Sequence, residues 1–323
     1  MSEPEPISQT LSLLGDKARR TAVMASFEAV KTVVHAQAEE AGAATADEGR
    51  GLLVFSEGHS GDRPIRLDAM ARKVTLKVLH AQLDAVVGRH ELIEVGEEAG
   101  VSTQEVNAGD LLTRLDVLDG STNAKVTLSD FSSVVLIDQV RKRRDGSLRA
   151  HHLAGAITVA SGWTISWVNQ GRYDYDAGRY HGAIGDVFVS AEPWGIPEFE
   201  LVEPSWTREV NSASAVASKS KRLETALRIL GPERAGGVFY NFGGTPIVAG
   251  LLMGQVENVI EPSQVTLHDS AHLIPHQLLR GHLVTAEGSE PIDYIALYED
   301  NALNLDPAHK PVPPYWARGP RPE

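Results

Sequence analysis

The stretch Asp116-Val117-Leu118-Asp119-Gly120-Ser121-Thr122-Asn123 is the part of the chain from which both fold and chemistry can be predicted. Its two carboxylates are three residues apart, and a glycine and two hydroxyl side chains follow directly. On a turn, both carboxylates and a carbonyl between them can point at one cation, and oxygen atoms are the ligands that Mg²⁺ prefers. The Gly-Ser-Thr segment can direct backbone N–H groups and hydroxyls at an anion. The stretch therefore predicts a metal site beside a phosphate site.

Length and composition indicate an ordinary globular protein. The chain has 323 residues, of which 42% are hydrophobic and 23% are charged, enough for about two domains of roughly 150 residues. Lys and Arg number 30 and Asp and Glu number 43, so the net charge is −13. This charge argues against nucleic acid or an anionic membrane as the main partner. Because the chain has no cysteine, disulfides, thiolate zinc sites and cysteine nucleophiles are excluded.

The N-terminal segment and the apolar runs give a coarse prediction of the compartment. Residues 1–7 are acidic and rich in proline, unlike a secretory signal peptide. No apolar run approaches the roughly 18 residues that a membrane span needs. We therefore expect a cytoplasmic protein without a membrane partner.

Periodicity predicts an α+β layer in the first half of the chain. Apolar residues recur at helical spacing over residues 8–44 and 67–87, and Gly88 is a plausible stop for the second helix. Strands are predicted at residues 52–55, 90–95, 110–118, 132–140, 156–168 and 187–189. Residues 56–64 are predicted to form a loop and residues 141–146 a basic hairpin turn. Trp163 and Trp167, four residues apart on one strand, are expected in the core.

A proline-containing stretch at residues 191–204 predicts a linker, which divides the chain into domains at 1–204 and 205–323. Beyond the linker, strands are predicted at residues 214–218, 236–241, 256–260 and 283–284, and helices at 221–230, 245–253 and 268–280. This alternation indicates an α/β second domain. The proline-rich tail, residues 307–323, is expected to be an extended strap or disordered.

The opening stretch resembles the Asp-Pro-Ile-Asp-Gly-Thr-x-Asn motif of the inositol monophosphatase family, which are lithium-sensitive, magnesium-dependent sugar phosphatases. Flanking features follow in the family's order. They are Leu67-Asp68 before a long helix, Gly96-Glu97-Glu98, Ala215-Val216-Ala217-Ser218-Lys219-Ser220, Gly243-Gly244-Thr245, and His268-Asp269-Ser270-Ala271 in place of Trp-Asp-x-Ala. The matches span residues 67–279. The resemblance implies a layered αβαβα sandwich of the inositol monophosphatase and fructose-1,6-bisphosphatase type.

The same resemblance implies a set of metal ligands. Glu97, Asp116 and the carbonyl of Leu118 would hold a first Mg²⁺. Asp116, Asp119 and Asp269 would hold a second, with Asp116 bridging the two ions. The second half of the chain therefore contributes Asp269 to a site that the first half begins.

Catalytic and phosphate-binding roles are implied as well. Ser121, paired with Asp68, would orient the attacking water and take its proton, and Glu97 would act with them through its metal. Gly120, Ser121 and Thr122 would hold the phosphate oxygens. Glu98 would reach a third Mg²⁺ or have no role.

Departures from the family's pattern leave the substrate open. His268 stands where the family has Trp, and His268, His272 and His276 have the i, i+4, i+8 spacing of one helix face. Either His272 or His276 contacts the substrate or an additional metal, or these are ordinary polar residues beside the site. Glu261 lies eight residues before Asp269, where the family has seven, and contacts a substrate hydroxyl or lies on the surface.

The function that the resemblance implies is hydrolysis of a small sugar, inositol or polyol phosphate monoester. A metal-activated water would attack, with two to three Mg²⁺ ions and no covalent enzyme intermediate. A homodimer is expected from the resemblance. A fructose-bisphosphatase and a 3′-phosphonucleotide phosphatase are alternatives that share the metal core, and residues 172–185 would decide between them. A catalytically silent binding or scaffold protein is the alternative of a different class.

Overall fold

The computed structural model describes residues 17–46, 66–96, 100–119, 131–159, 162–174, 179–181, 185–191, 196–201, 214–216, 223–230, 239–240, 249–252, 256–286 and 290–319. The helices of this part are α1 (Lys17–Ala46), α2 (Arg66–Val87), α3 (Leu223–Leu230), α4 (Leu273–Leu278) and α5 (Tyr294–Asn301), with a 3₁₀ turn at Ala249–Leu251. The strands are β1 (Leu92–Gly96), β2 (Gly100–Val101), β3 (Leu111–Asp119), β4 (Ser132–Lys142), β5 (Leu148–Val159), β6 (Trp163–Asn169), β7 (Arg172–Asp174), β8 (Arg179–His181), β9 (Gly185–Ala191), β10 (Ile196–Leu201), β11 (Ser214–Val216), β12 (Phe239–Tyr240), β13 (Asn258–Glu261), β14 (His282–Thr285) and β15 (Tyr315–Arg318). Among the described helices, none is both long and apolar enough to cross a membrane.

The strands form a large sheet, a smaller sheet and the β7–β8 hairpin. The large sheet has the order β10-β9-β6-β5-β4-β3-β1-β2, in which β1 and β3 are parallel and the other neighbours are antiparallel. The smaller sheet has the order β12-β11-β13-β15-β14. In it β11 is parallel to both of its neighbours, and β15 is antiparallel to β13 and β14.

The apolar faces of these elements stack the protein in layers. Leu111 and Leu115 of β3 pack with α1 and α2, whereas Leu112 faces the opposite side, as the period-2 alternation of a strand requires. That opposite side packs on α4 and α5, which also pack on the smaller sheet. Ala226 of α3 contacts Ile260 on the far side of the smaller sheet. The order helix, sheet, helix, sheet, helix confirms the αβαβα sandwich.

The strongly periodic helices agree with the sequence. Helix α2 ends at Val87 because Gly88 takes a φ of +62°, the left-handed conformation in which helices commonly end at a glycine. Helix α1 ends two residues beyond the predicted segment at 8–44, and residues 8–16 of that segment lie outside the described residues. The predicted strand at 52–55 and loop at 56–64 lie outside them as well.

The single strand predicted at residues 156–168 is wrong. This segment contains the end of β5, a turn and most of β6, and the two strands pair as a hairpin. Gly162 takes a φ of +95° at the turn, and its N–H bonds to the carbonyl of Val159 at 2.9 Å. Both strands are buried almost along their whole length, and only three residues separate them in the sequence, so the sequence contains no long polar loop that would mark the turn. Trp163 and Trp167 both belong to the core, as expected.

The linker predicted at residues 191–204 is wrong for part of its length. Strand β10 lies within it and pairs with β9 at the edge of the large sheet. Pro197 does not prevent this pairing, because an edge strand has one side on which no ladder hydrogen bond is needed. The division of the chain into domains near residue 204 stays a prediction.

The second half differs from the sequence-based prediction at several places. Of the helix predicted at 245–253, the described residues 249–251 form a 3₁₀ turn. The tail was expected to be a strap or disordered, but β15 lies between β13 and β14, where Trp316 is opposite both Ile260 and Val284. Helix α5 was not predicted. The helix expected at 268–280 is shorter, because residues 267–272 form turns and α4 begins at Leu273. Pro275 is tolerated in its first turn, where its missing N–H has no intrahelical partner to bond.

A buried polar network joins α5 to the large sheet. The Glu299 carboxylate accepts from His151 Nδ1 at 2.9 Å and from the backbone N–H of His152 at 3.0 Å. Asp138 accepts from His152 Nδ1 at 2.8 Å and from the hydroxyl of Tyr298 at 2.8 Å. The network fixes α5, and the turn that packs on it, relative to strands β4 and β5.

Gly155→Ala tests the packing of the large sheet. A methyl group at residue 155 would overlap the ring of Trp167 and lie 3.0 Å from Leu136 Cδ2. We expect the free energy of unfolding to fall by about 1–3 kcal/mol, measured by urea denaturation. Gly319→Ala is the control, because its nearest neighbour would be Leu251 Cδ1 at 3.8 Å, and it should change stability by less than about 0.5 kcal/mol. Equal losses in the two variants would contradict the packing described here.

Candidate metal centre

Asp116 lies near the end of β3, on the face of the large sheet that meets α4 and α5. Its side chain is 1% exposed. Asp116 pairs with Val134 and Asp119 with Ser132, so two residues of β3 oppose one residue of β4, which is a β-bulge. Both aspartates therefore belong to β3, whereas the sequence placed them on a turn. The bulge changes the aim of the side chains that follow it, since residues three apart on a regular strand face opposite sides.

Asp269 comes from the turns that precede α4. The Thr266 hydroxyl donates to Asp269 Oδ2 at 2.8 Å and accepts from the Asp269 N–H at 3.2 Å. The Ser270 hydroxyl donates to the Thr266 carbonyl at 2.6 Å and lies 2.7 Å from the hydroxyl of Tyr294 on α5. These bonds orient the Asp269 carboxylate and fix the turn against α5.

Asp116, Asp269 and His268 converge where the large sheet meets this turn. Their carboxylate oxygens and imidazole nitrogen all lie within 4.8 Å of one another. Asp116 and His268 are buried, and Asp269 is partly exposed. Two ligand atoms of one cation, each about 2.1 Å from it, are at most about 4.2 Å apart. Small side-chain rotations would therefore close the group on one ion, which makes it a possible metal-binding site.

The pKa of the His268 imidazole lies below its ordinary value. Burial lowers this pKa, the nearby positive charges of Arg114 and Lys310 lower it further, and Asp269 acts in the opposite direction. A neutral imidazole is the form that binds metal ions. Arg114 is itself buried two residues before Asp116 and donates to two carbonyls that follow α5, at 3.0 and 3.2 Å.

Three further predicted site residues lie on described elements. Asp119 ends β3 and is partly exposed, and among the described residues the 4.8 Å group does not include it. Leu118 precedes Asp119 at the bulge, and Asp68 lies in the first turn of α2. The predicted roles of Asp119, the Leu118 carbonyl and Asp68 remain predictions.

The other predicted catalytic and phosphate-binding residues lie outside the described part of the chain. They are Glu97, Glu98, Gly120, Ser121 and Thr122. The segment at 172–185 is described in part: β7 and β8 form a hairpin in which Tyr173 is opposite Tyr180.

Glu261 ends β13 and is 2% exposed. Its Oε1 accepts from the backbone N–H of Ser263 at 2.9 Å and from the Ser263 hydroxyl. The carboxylate is therefore buried beside a turn, and the alternative prediction that Glu261 lies on the surface is wrong. The contact with a substrate hydroxyl remains a prediction.

His272 and His276 are buried between α4 and the smaller sheet. His272 Nε2 lies 3.1 Å from the hydroxyl of Tyr315, and His276 Nε2 donates to the carbonyl of Arg318 at 2.8 Å. Burial lowers the pKa of both imidazoles to about 3, with a smaller contribution from a neighbouring histidine in each case. The prediction that His268, His272 and His276 share one helix face is wrong, because His268 precedes the start of α4 at Leu273. The contacts that the structure gives His272 and His276 are with β15, and a substrate contact of His272 remains a prediction.

His268 is the member of the group that sequence reasoning did not place among the ligands. Two signals pointed to it: a metal-ligating residue type stands where the resembled family has Trp, and it directly precedes Asp269.

Comparison with known proteins gives a fold relationship. No family model and no curated protein matches the sequence. Solved structures match over most of the chain. The fructose-1,6-bisphosphatase of Leishmania major in holo form is 15% identical with a TM-score of 0.59, covering 99% of this chain and 96% of that one.

Bacterial structures match in the same way. CysQ of Bacteroides thetaiotaomicron, a member of the inositol monophosphatase family, is 14% identical with a TM-score of 0.54, covering 93% of this chain and 97% of that one. The extragenic suppressor protein SuhB of Bartonella henselae is 15% identical with a TM-score of 0.53, covering 92% and 94%. At these identities the likeness concerns the fold. The chain has the fold of these structures, which confirms at that level the resemblance seen in the motifs.

Proposed function

We propose that the protein is a metal-dependent phosphatase that hydrolyses a small phosphate monoester of a sugar, an inositol or another polyol. The observation that carries the proposal is the convergence of Asp116 from the large sheet with His268 and Asp269 from the turn before α4, within 4.8 Å. The order of the sequence motifs and the αβαβα fold support it. The proposed substrate is small because the motifs resemble those of phosphatases that act on sugar, inositol and polyol phosphates.

The donor atoms of the site fit a divalent cation. Asp116 and Asp269 bring carboxylates together in a largely buried place, where negative charge is costly unless a cation or a hydrogen-bond donor compensates it. Glu97, the Leu118 carbonyl and Asp119 would complete the ligand sets of two to three Mg²⁺ ions. Bound there, Mg²⁺ would stabilise negative charge on the phosphoryl oxygens and acidify water.

The chain's own groups would bind the substrate and handle the proton. The backbone N–H groups of Gly120 and Ser121, with the hydroxyl of Thr122, would hold the phosphate oxygens. Ser121 Oγ, paired with the Asp68 carboxylate, would orient the attacking water and take its proton. Thr266 would keep Asp269 in its orientation throughout, through the hydrogen bond at 2.8 Å.

Alternatives within the proposal concern substrate and activity. Fructose bisphosphate and 3′-phosphonucleotides are the alternative substrates, since phosphatases for them share the same metal core. The alternative of a different class is a catalytically silent binding protein. The close approach of the buried Asp116 carboxylate and the partly exposed Asp269 carboxylate counts against it, because two like charges repel each other and a bound cation relieves that repulsion.

Phosphate release from a panel of substrates tests the proposal. The panel contains inositol monophosphates, sugar monophosphates, fructose 1,6-bisphosphate and a 3′-phosphonucleotide, each with Mg²⁺, with Mg²⁺ plus Li⁺, and with EDTA. We expect release from at least one substrate with Mg²⁺, inhibition by Li⁺, and no release with EDTA. The preferred substrate decides between the alternatives. Mg²⁺ binding by calorimetry without phosphate release from any substrate would favour the silent binding protein, and absence of both Mg²⁺ binding and phosphate release would overturn the proposal.

We also propose that the protein forms a homodimer, which light scattering would measure.

A further inference from the structure

We propose that His268 is a direct nitrogen ligand of the catalytic cation, so that the centre combines imidazole with carboxylates and prefers Mn²⁺, Co²⁺ or Zn²⁺ to Mg²⁺. This inference rests on the proposed function, because it concerns the same centre. It differs from the ligand set that the motifs imply, in which every donor is an oxygen atom.

The position of His268 carries the inference. Its side chain is 2% exposed, and its ring nitrogen lies within 4.8 Å of carboxylate oxygens of both Asp116 and Asp269. Two of the three donors, His268 and Asp269, are adjacent residues of a turn, and the third, Asp116, belongs to the large sheet. Ligand atoms of one ion are at most about 4.2 Å apart, so at most a small side-chain rotation is needed to close the group on one cation.

The surroundings of the group fix the two donors of the turn. Thr266 holds Oδ2 of Asp269 at 2.8 Å, so this carboxylate is oriented by a neighbour in the way that metal-ligating carboxylates usually are. The Ser270 hydroxyl, next along the chain, bonds to Thr266 O at 2.6 Å and lies 2.7 Å from Tyr294 OH. Hydrogen bonds of Thr266 and Ser270 therefore fix the backbone on both sides of His268, and the position of its imidazole beside Asp116 follows from the conformation of this turn.

A nitrogen donor changes which cation the centre favours. Mg²⁺ takes oxygen ligands almost exclusively. Imidazole is a common ligand of transition-metal ions such as Zn²⁺, and the affinity of a given site rises from Mn²⁺ through Co²⁺. Imidazole also adds no negative charge, so within this group of three residues only Asp116 and Asp269 contribute negative charge. Mg²⁺ can still bind through these carboxylates, but the nitrogen of His268 raises the affinity of the centre for transition-metal ions and not for Mg²⁺.

Pulsed electron paramagnetic resonance with Mn²⁺ as the probe tests the inference. A bound imidazole couples its nitrogen nucleus to the unpaired electrons of Mn²⁺. The wild-type protein with one equivalent of Mn²⁺ should show this nitrogen coupling, and His268→Asn should lose it. His282→Asn is the matched control, because His282 is an exposed histidine on β14, and it should keep the coupling. Absence of coupling in the wild type, or its persistence in His268→Asn, would overturn the inference.

A second measurement does not depend on the folding of a variant. X-ray absorption of the wild-type protein with one equivalent of Co²⁺ should show the scattering pattern of an imidazole ring around the ion. A spectrum without the outer-shell scattering of an imidazole ring would overturn the inference.

Calorimetry separates the two classes of cation. His268→Asn should weaken Zn²⁺ binding by at least about 10-fold and Mg²⁺ binding much less, whereas equal losses would overturn the inference. Phosphate release is measured on the same samples. Nitrogen coupling without phosphate release would overturn the proposed function alone, and phosphate release without nitrogen coupling would overturn the ligand role of His268 alone.

Discussion

Asp116→Asn should abolish specific divalent-cation binding and lower phosphate release by about 10²–10³-fold or more, with the fold retained. Asp116 is the buried donor that the large sheet contributes to the centre. An amide has the same shape as a carboxylate, so the packing around β3 should persist. It lacks the negative charge, however, and charge is what holds a cation and lets it stabilise the phosphoryl group in the transition state.

Calorimetry measures the Mn²⁺ affinity of the variant, and thermal unfolding with and without Mn²⁺ measures how much the cation stabilises it. A cation at a hundred times its dissociation constant stabilises a protein by about 2.7 kcal/mol, and Asp116→Asn should lose this gain. Asp110→Asn is the matched control: Asp110 is buried just before β3 and accepts from the N–H groups of Glu91 and Asn107 at 3.1 and 2.7 Å. It should lose stability but keep the gain from Mn²⁺. Wild-type cation affinity in Asp116→Asn would remove Asp116 from the centre.

Glu299→Ala should lower the free energy of unfolding by about 3–5 kcal/mol. The Glu299 side chain is 1% exposed and lies 3.5 Å from Arg149, which is 3% exposed. Its Oε1 also accepts from His151 and from the backbone of His152. Truncation leaves a buried guanidinium and a buried imidazole without this partner, and a buried charge that loses its partner carries a large desolvation cost.

The neighbouring residue supplies the control for Glu299. Asp300 also contacts Arg149, at 3.1 Å, but its side chain is 56% exposed, so Asp300→Ala should cost about 0–1 kcal/mol. Glu299→Gln, which keeps the shape and the acceptor oxygen, should cost less than Glu299→Ala. Chemical denaturation of the three variants measures these differences. A Glu299→Ala protein within about 1 kcal/mol of wild type would show that the network contributes little to the attachment of α5.

Local sequence patterns predicted the elements whose boundaries are themselves local. Helix α2 has an apolar face and a glycine at its end, and β4 is an apolar run that ends shortly before the polar turn at residues 144–146. The αβαβα layering followed from the resemblance of motifs, because helix and strand propensities alone do not specify which faces pack together.

Elements that depend on distant partners were missed. Strand β15 follows a proline-rich segment and becomes a strand because β13 and β14 offer it hydrogen bonds on both sides. Strand β10 contains Pro197 and pairs only at the sheet edge. Helix α5 buries Tyr294 and Tyr298 in the layer between the sheets, and its weak amphipathic pattern reflects burial on more than one side.

The site residues, like the strands and helices, could be predicted from local sequence only where their role does not depend on distant partners. Asp116 and Asp269 lie in different halves of the chain, and only the resemblance suggested that they would meet. His268 was read as a departure from the motif, because a pattern taken from a family cannot assign a role to a residue type that the family lacks at that position. Its place beside two carboxylates became visible once the turn before α4 was located against β3.

Crystals grown with Mn²⁺ and inorganic phosphate would show whether Asp116 and Asp269 hold the cation that acts on a phosphate ester, with diffraction data collected where manganese scatters anomalously. We expect an anomalous peak at about 2.0–2.6 Å from oxygen atoms of both carboxylates, with phosphate density beside it. Saturating Mn²⁺ without a peak at this position, or with peaks only elsewhere, would contradict this role of the two aspartates.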